Sequence, residues 1–235
     1  AAAQIPGPQQ NRKLRGGLRF TNLIKACQQI KMVWQEEVEI KKQLFRSELL
    51  DEEYYKYTYP SGFSVYVYPK KMSTVYAIFG VKYGSVDNQF KAHDGTQLTV
   101  PDGIAHFLEH KLFFNEDGSD SFERFSEYGA DANAYTSFNK TVYLFSCADS
   151  FDRSLRELIQ FVTHPYFTPE SVASEIGIIS EEIKMYDDSP ADRCFYGMLE
   201  GMYEHHSIRR NICGTAKSIK KKSAVEWNGA VAEIG

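Results

Sequence analysis

The sequence predicts an α+β fold. Three observations carry this: stretches after Tyr54 whose side chains alternate with period two, a pair of extended segments around Asn139 and Lys140, and segments beyond Gly103 whose apolar residues return every three or four positions. The 235 residues suffice for one substantial domain or two small ones, and a chain of this length buries roughly 70% of its unfolded surface.

The elements follow in order. Positions 1–34 hold no Asp or Glu but carry Arg12, Lys13, Arg15, Arg19, Lys25 and Lys31, after an opening rich in Ala, Gln, Pro and Gly. Residues 1–50 therefore read as an N-terminal extension, partly flexible, in which Leu23 to Leu50 could form a charged helix. Phe63, Val65 and Val67 then alternate with Ser64, Tyr66 and Tyr68 after the turn residues Pro60, Ser61 and Gly62. A second strand is expected from Tyr76 to Tyr83, and Pro69, Lys70 and Lys71 between the two suggest an antiparallel pair. Helices are expected over Gly103 to Phe114, Ser121 to Tyr128 with Gly129 as the stop, and around Phe151 to Val162. Between the last two, Asn133 to Phe138 and Thr141 to Cys147 read as a hairpin. Thr168 and Pro169, a hydroxyl cap before a first-turn proline, start a helix to about Tyr186, with Val172, Ile176, Ile179 and Ile183 on its inner stripe and Pro190 closing it. Residues 51–219 read as one domain and 220–235 as a truncated or irregular tail.

Composition excludes several functions. At 43% hydrophobic and 25% charged, with 15 Tyr and 16 Phe, the chain has the material for a core. A net charge of -4 gives no overall reason to bind nucleic acid or an anionic membrane. No run approaches the ~20 apolar residues of a membrane-spanning helix. Cys27, Cys147, Cys194 and Cys213 are scattered, with no C-x-x-C pair, and read as free thiols in a reducing compartment; the expected location is the cytoplasm.

His106-Phe107-Leu108-Glu109-His110 places two imidazoles four residues apart, on one face of a helix, where both can reach a single ion. Glu109 lies on the same side, able to hold a proton without being a ligand. Catalytic zinc keeps three protein ligands and an open position, so a third donor must come from elsewhere. Glu182 is the candidate. It shares a helix with Glu175, seven positions earlier and so nearly two turns away; one carboxylate could bind the ion and the other orient a ligating His. Glu181 points about 100° aside. The pattern suits metal-assisted hydrolysis with Glu109 as the general base. Two His and a Glu on one helix also occur as an ordinary polar face, so the surroundings matter.

Gly103-Ile-Ala-His-Phe-Leu-Glu-His110, then Gly129-Ala-Asp-Ala-Asn-Ala-Tyr-Thr136, then Glu175 through Glu182 occur in this order and resemble the pitrilysin/insulinase family, the inverzincins with H-x-x-E-H. Ile178 to Asp188 is similar to the corresponding helix of bacterial insulinase-like peptidases, and the resemblance runs from about Tyr54 to Ile219. It implies an antiparallel sheet with helices packed on it, forming one half domain of a zinc metallopeptidase. It further implies zinc held by His106, His110 and Glu182, with Glu109 as the base and Glu175 as the supporting carboxylate of the catalytic set. Asn133, Ala134 and Tyr135 match an edge strand that pairs with substrate backbone in relatives; without the resemblance they read as an ordinary strand. Relatives complete the substrate site with an Arg and a Tyr from a second half, so a second homologous half domain or partner chain is expected, with a peptide as substrate.

A catalytically silent structural or assembly subunit is the alternative within the same fold, and the presence of all five site residues argues against it. A closed structural zinc site is a third reading, but no cysteine lies at finger-like spacing from the histidines. His164 is expected at a helix end, His205 and His206 in a loop, and Met198 and Met202 in a core.

Overall fold

The computed structural model describes residues 39–91 and 95–220, which fall into two compact units divided between Ser73 and Thr74. The first is a three-stranded antiparallel sheet in the order β1-β2-β3, with β1 Lys41–Ser47, β2 Glu52–Thr58 and β3 Ser64–Val67. Aromatic side chains clamp its face: the Tyr54 ring stacks on Phe45 at 4.9 Å and on Tyr68 at 4.8 Å.

Two expectations are corrected here. The helix expected over Leu23 to Leu50 lies outside the described residues in its first part, and in its last part it is the strand Lys41–Ser47 and a turn. The residues of that strand are good helix formers, but pairing with the aromatic strand β2 overrides a weak local preference. The β1–β2 turn, with Asp51 in the left-handed region, runs across the position at which the sequence suggested that an extension gives way to a domain. The antiparallel pair expected between the strands around Val65 and Tyr76 is not formed either. β3 pairs with β2 through the tight turn at Pro60 to Gly62, where Gly62 takes the left-handed conformation, whereas Pro69 to Lys71 offer no glycine or asparagine for such a turn, and the next strand joins another sheet.

That second sheet belongs to the second unit and has the order β4-β8-β7, antiparallel throughout, with β4 Val75–Val81, β7 Ala130–Thr136 and β8 Thr141–Cys147. The β7–β8 hairpin forms as the alternation implied, with Thr136 opposite Thr141. A small ladder, β5 Gln89–Lys91 with β6 Gln97–Thr99, precedes α1 Ile104–Lys111. The other helices are α2 Ser121–Glu127, α3 Phe151–Thr163, α4 Pro169–Asp188, α5 Pro190–Met202 and α6 Ala216–Ile219. This is the α+β, antiparallel-sheet architecture that the sequence predicts.

Local chemistry explains the helix ends. Asp120 accepts from the Phe122 N–H at 2.7 Å to start α2, and Thr168 with Ser171 forms a reciprocal cap on α4 with Pro169 in its first turn. Pro190 does not merely close α4: with Ser189 as cap it opens α5, because a first-turn proline lacks only an N–H that would be unpaired there. His164 caps the end of α3, and His206 caps the short 3-10 turn Ser207–Arg209. Met198 and Met202 are 49% and 65% exposed and so are not core; of α5 only Leu199 is buried.

Two apolar cores position α1. On one side Ile104, Phe107 and Leu108 pack with Val172, Ile179 and Ile183 of α4 and with Ile219. On the other, Phe113, just beyond the helix, joins Phe125, Tyr143, Phe145, Leu158 and Phe161. No described helix is long and apolar enough to cross a membrane.

The entry to α1 is fixed by a close backbone approach. Gly103, at φ 91°, has no room for a side chain, since a Cβ would stand 2.4 Å from the Cys213 carbonyl oxygen, and a Cβ on Gly214, at φ 71°, would stand 2.4 Å from the Asp102 carbonyl oxygen. Gly103→Ala is expected to destabilise the unit by at least about 1–3 kcal/mol from backbone strain alone. The lowered midpoint would be read by urea denaturation, and a midpoint unchanged from the parent chain would contradict this account of the contact.

Candidate metal centre

Helix α1 carries His106, Glu109 and His110 on a single turn, with the two imidazole centroids 4.6 Å apart. Helix α4 packs across it and carries Glu175 and Glu182. The convergence is close: His106 Nε2 lies 3.6 Å from Glu182 Oε1, and His110 Nε2 lies 3.4 Å from Glu182 Oε2. His110 Nδ1 lies 3.0 Å from Glu175 Oε1, which leaves Nε2 with the free lone pair if Nδ1 donates. Glu181 points away, paired with Lys184 at the surface.

Distances and protonation together test whether these residues suit a metal. A tetrahedral ion with ordinary zinc–nitrogen and zinc–oxygen bonds has donor–donor edges of about 3.4 Å. The His–Glu182 separations match such edges and exceed good hydrogen bonds. Burial, then the neighbouring His110, pushes the His106 pKa down to about 3, so this imidazole is neutral and offers a lone pair rather than a charge. Its Nδ1 is buried without a hydrogen-bond partner. For His110 burial works downward, but the hydrogen bond and charge of Glu175, with Glu109 and Glu182, carry the net shift upward. Three carboxylates thus surround two imidazoles, a donor set whose charge suits a divalent cation.

Glu109 stands beside this cluster. Its Oε2 accepts from Thr136 Oγ1 at 2.6 Å, at the end of β7. Burial raises its pKa, and Glu182 adds to the rise, while Thr136 and His110 oppose it. A carboxyl shifted upward by burial holds a proton more readily than one in water.

Asn133, Ala134 and Tyr135 lie on β7, the edge of the β4-β8-β7 sheet among the described residues, and the Ala134 N–H donates to Asn133 Oδ1 at 2.8 Å. Three residues near the centre were not singled out from sequence for the places they take. Thr136 holds Glu109. Lys111, only 1% exposed, sets its ammonium over the Phe114 ring at 4.1 Å, with burial lowering its pKa and Glu175 opposing. Cys213 brings its Sγ to 3.8 Å from His106 Nε2. No spacing signal could have found Cys213, which arrives on a loop, and Lys111, directly after Glu109 and His110, reads in sequence as one more polar residue of the helix.

The family model described as Insulinase (Peptidase family M16) matches residues 98–216, which span α1, α4 and everything between them. The chain belongs to this family. It is 51% identical over 174 residues to the uncharacterized zinc protease YmfH of Bacillus subtilis (strain 168), covering 73% of this chain and 40% of that protein. A zinc protease of Rickettsia felis is 30% identical over 122 residues, covering 50% of this chain and 30% of the relative. The crystal structure of an M16-like peptidase from Alicyclobacillus acidocaldarius aligns with TM-score 0.70 and 34% identity over 83% of this chain and 43% of that one. Pitrilysin aligns with TM-score 0.67 over 83% of this chain and 22% of its own, at 16% identity, which shows the shared fold alone. This insulinase-family chain therefore spans less than half the length of the relatives it matches.

The His110–Glu175 contact predicts a measurable asymmetry between neighbouring carboxylates. Glu175→Gln should lower metal affinity by roughly 10–100-fold, the usual effect of losing a carboxylate behind a ligating His, while Glu181→Gln leaves it unchanged. Competition against a chromogenic chelator gives both values, and equal affinities for the two variants would remove Glu175 from this role.

Proposed function

We propose that this chain is the metal-bearing half of a zinc-dependent endopeptidase that hydrolyses peptide bonds in peptides or small unfolded proteins. The observation that carries the reading is the convergence of His106 and His110 from α1 with Glu182 from α4, and Glu109 beside them. Relatives described as zinc proteases support zinc as the ion.

His106, His110 and Glu182 would hold the zinc. When bound, zinc acidifies a water molecule and polarises a carbonyl group. Glu109 is the general base, accepting the proton of the attacking water on a carboxylate oxygen and later returning it to the leaving amine. Thr136 positions that carboxylate by donating to Oε2, and its donation restrains the upward shift that burial imposes. Glu175 is a positioning residue: accepting from His110 Nδ1, it turns Nε2 toward Glu182. Asn133, Ala134 and Tyr135 on the edge strand would pair with extended substrate backbone, a mode of recognition that reads main chain and so tolerates many sequences.

A second homologous half domain or partner chain completes the substrate site in this reading. Apolar side chains left exposed on α4 and α5, among them Ile178, Met185, Phe195 and Met198, supply surface for it. The thiols of Cys194 and Cys213, with no C-x-x-C pair in the sequence, support a reducing, cytoplasmic setting in this reading. The alternative of a silent assembly subunit is disfavoured by the Thr136–Glu109 and Glu175–His110 contacts, since a scaffold has no use for an oriented base and an oriented ligand.

Glu109→Gln is expected to keep its zinc and lose peptide cleavage by on the order of 10²–10⁴-fold. Zinc content by atomic emission and turnover of a quenched fluorescent peptide, for the chain alone and mixed with its second half, decide the matter. A zinc-loaded Glu109→Gln protein that cleaves at the unmutated rate rules out Glu109 as the base. Zinc-loaded native protein inert in both preparations favours the assembly subunit.

A chelator should abolish cleavage by the native protein, and added zinc should restore it. Turnover that persists after the metal has been removed would sink the metallopeptidase reading.

A further inference from the structure

The loop between α5 and α6 carries a thiol into the metal centre. Cys213 is 4% exposed, and its Sγ lies 3.8 Å from His106 Nε2, the same nitrogen that faces Glu182 Oε1 at 3.6 Å. Ligand atoms of His106, Glu182 and Cys213 all lie within 4.8 Å of one another. A tetrahedral zinc bound by one sulfur and one imidazole nitrogen separates those two atoms by about 3.6 Å. The observed sulfur–nitrogen distance is therefore close to that of two donors to one ion.

The thiol is held there by more than chance packing. The Cys213 N–H donates to Asn211 Oδ1 at 2.9 Å, and the preceding N–H, of Ile212, donates to the Tyr196 hydroxyl at 3.4 Å. Arg210 Nη1 donates to Asp102 Oδ1 at 2.5 Å and Ser218 Oγ, from α6, to the Asp102 carbonyl at 2.8 Å, which ties the chain on both sides of Cys213 to the residue before Gly103. The Gly103–Gly214 approach closes the same junction. His106 itself is more than nine-tenths buried; its Nδ1 has no partner among the described residues, and its Nε2 faces only Glu182 and Cys213 among the donors named here.

We propose that Cys213 is a further ligand of the metal centre, its thiolate binding the ion shared by His106 and Glu182 and thereby giving the centre a resting form with a fourth protein donor. This rests on the metal-centre reading above. As the sulfur–metal bond forms, the S–H bond breaks and its proton passes to solvent, with no change in oxidation state. A hydrolytic zinc site keeps one position open for water, so the thiolate-bound form is closed and must release sulfur before turnover. Sulfur ligation also biases the centre toward zinc, cobalt and softer ions over magnesium or calcium.

Cobalt(II) substitution of the full 235-residue chain tests this without any assay of activity. The native protein should show visible ligand-field bands together with a near-ultraviolet thiolate-to-cobalt charge-transfer band. Cys213→Ser and Cys213→Ala should each lose the charge-transfer band while keeping equimolar cobalt, and Cys194→Ser should retain it. Against a chelator, both Cys213 variants should release cobalt faster, on the order of tenfold. Ligand-field bands without charge transfer in the native chain, or a charge-transfer band that survives both Cys213 substitutions, overturn the proposal and leave the centre standing. Native chain that takes up no cobalt overturns the centre and the thiol ligand together. Because the native spectrum decides first, misfolding of one variant does not rescue the idea.

Discussion

The packing of α1 against α4 is the constraint on which the site depends. Ile104, Phe107 and Leu108 meet Val172, Ile179 and Ile183, and this apolar contact sets how far apart the two polar faces beside it can lie. His106 and His110 on one helix and Glu175 and Glu182 on the other are then opposed at 3.0–3.6 Å. Interiors pack near crystal density, so the spacing tolerates little drift, and a donor set built across such an interface is organised before any ligand arrives.

The same packing creates an electrostatic problem that the proposed chemistry uses. Glu109, Glu175 and Glu182 are gathered around two imidazoles, one of them neutral through burial. Carboxylates crowded in a poorly solvated place repel one another, and each must be offset by a donor or a cation. Thr136 offsets part of it for Glu109, His110 for Glu175, and a divalent cation would do so for Glu182. In the proposed mechanism, tuning of the base and affinity for the metal arise from one arrangement rather than from separate devices.

Much of this was legible in the chain. The H-x-x-E-H spacing needs only helical geometry to put both imidazoles on one side, and the cap at Thr168 with its following proline marks the start of α4 without reference to anything distant. The β7–β8 hairpin was equally readable from alternation. What failed were inferences in which local preference competed with partners far away. Lys41–Ser47 has a helix-compatible composition yet pairs with β2, and the strand from Val75 bypasses its neighbour in sequence for β8. Met198 and Met202 have core-like character at helical spacing, but α5 offers its neighbours little more than Leu199.

The sequence by itself determined α1 to α4, the β7–β8 hairpin and the helical faces on which His106, His110, Glu175 and Glu182 sit, because those follow from periodicities and caps a few residues long, and its motifs pointed to the family. Only the tertiary structure decided that Glu175 meets His110 while Glu182 faces both histidines, that Thr136 holds Glu109, and that Cys213 stands beside His106. The reason is physical. Separations of three to four ångströms between side chains on different elements are set by how cores fill and backbones approach, and a linear pattern carries no term for either.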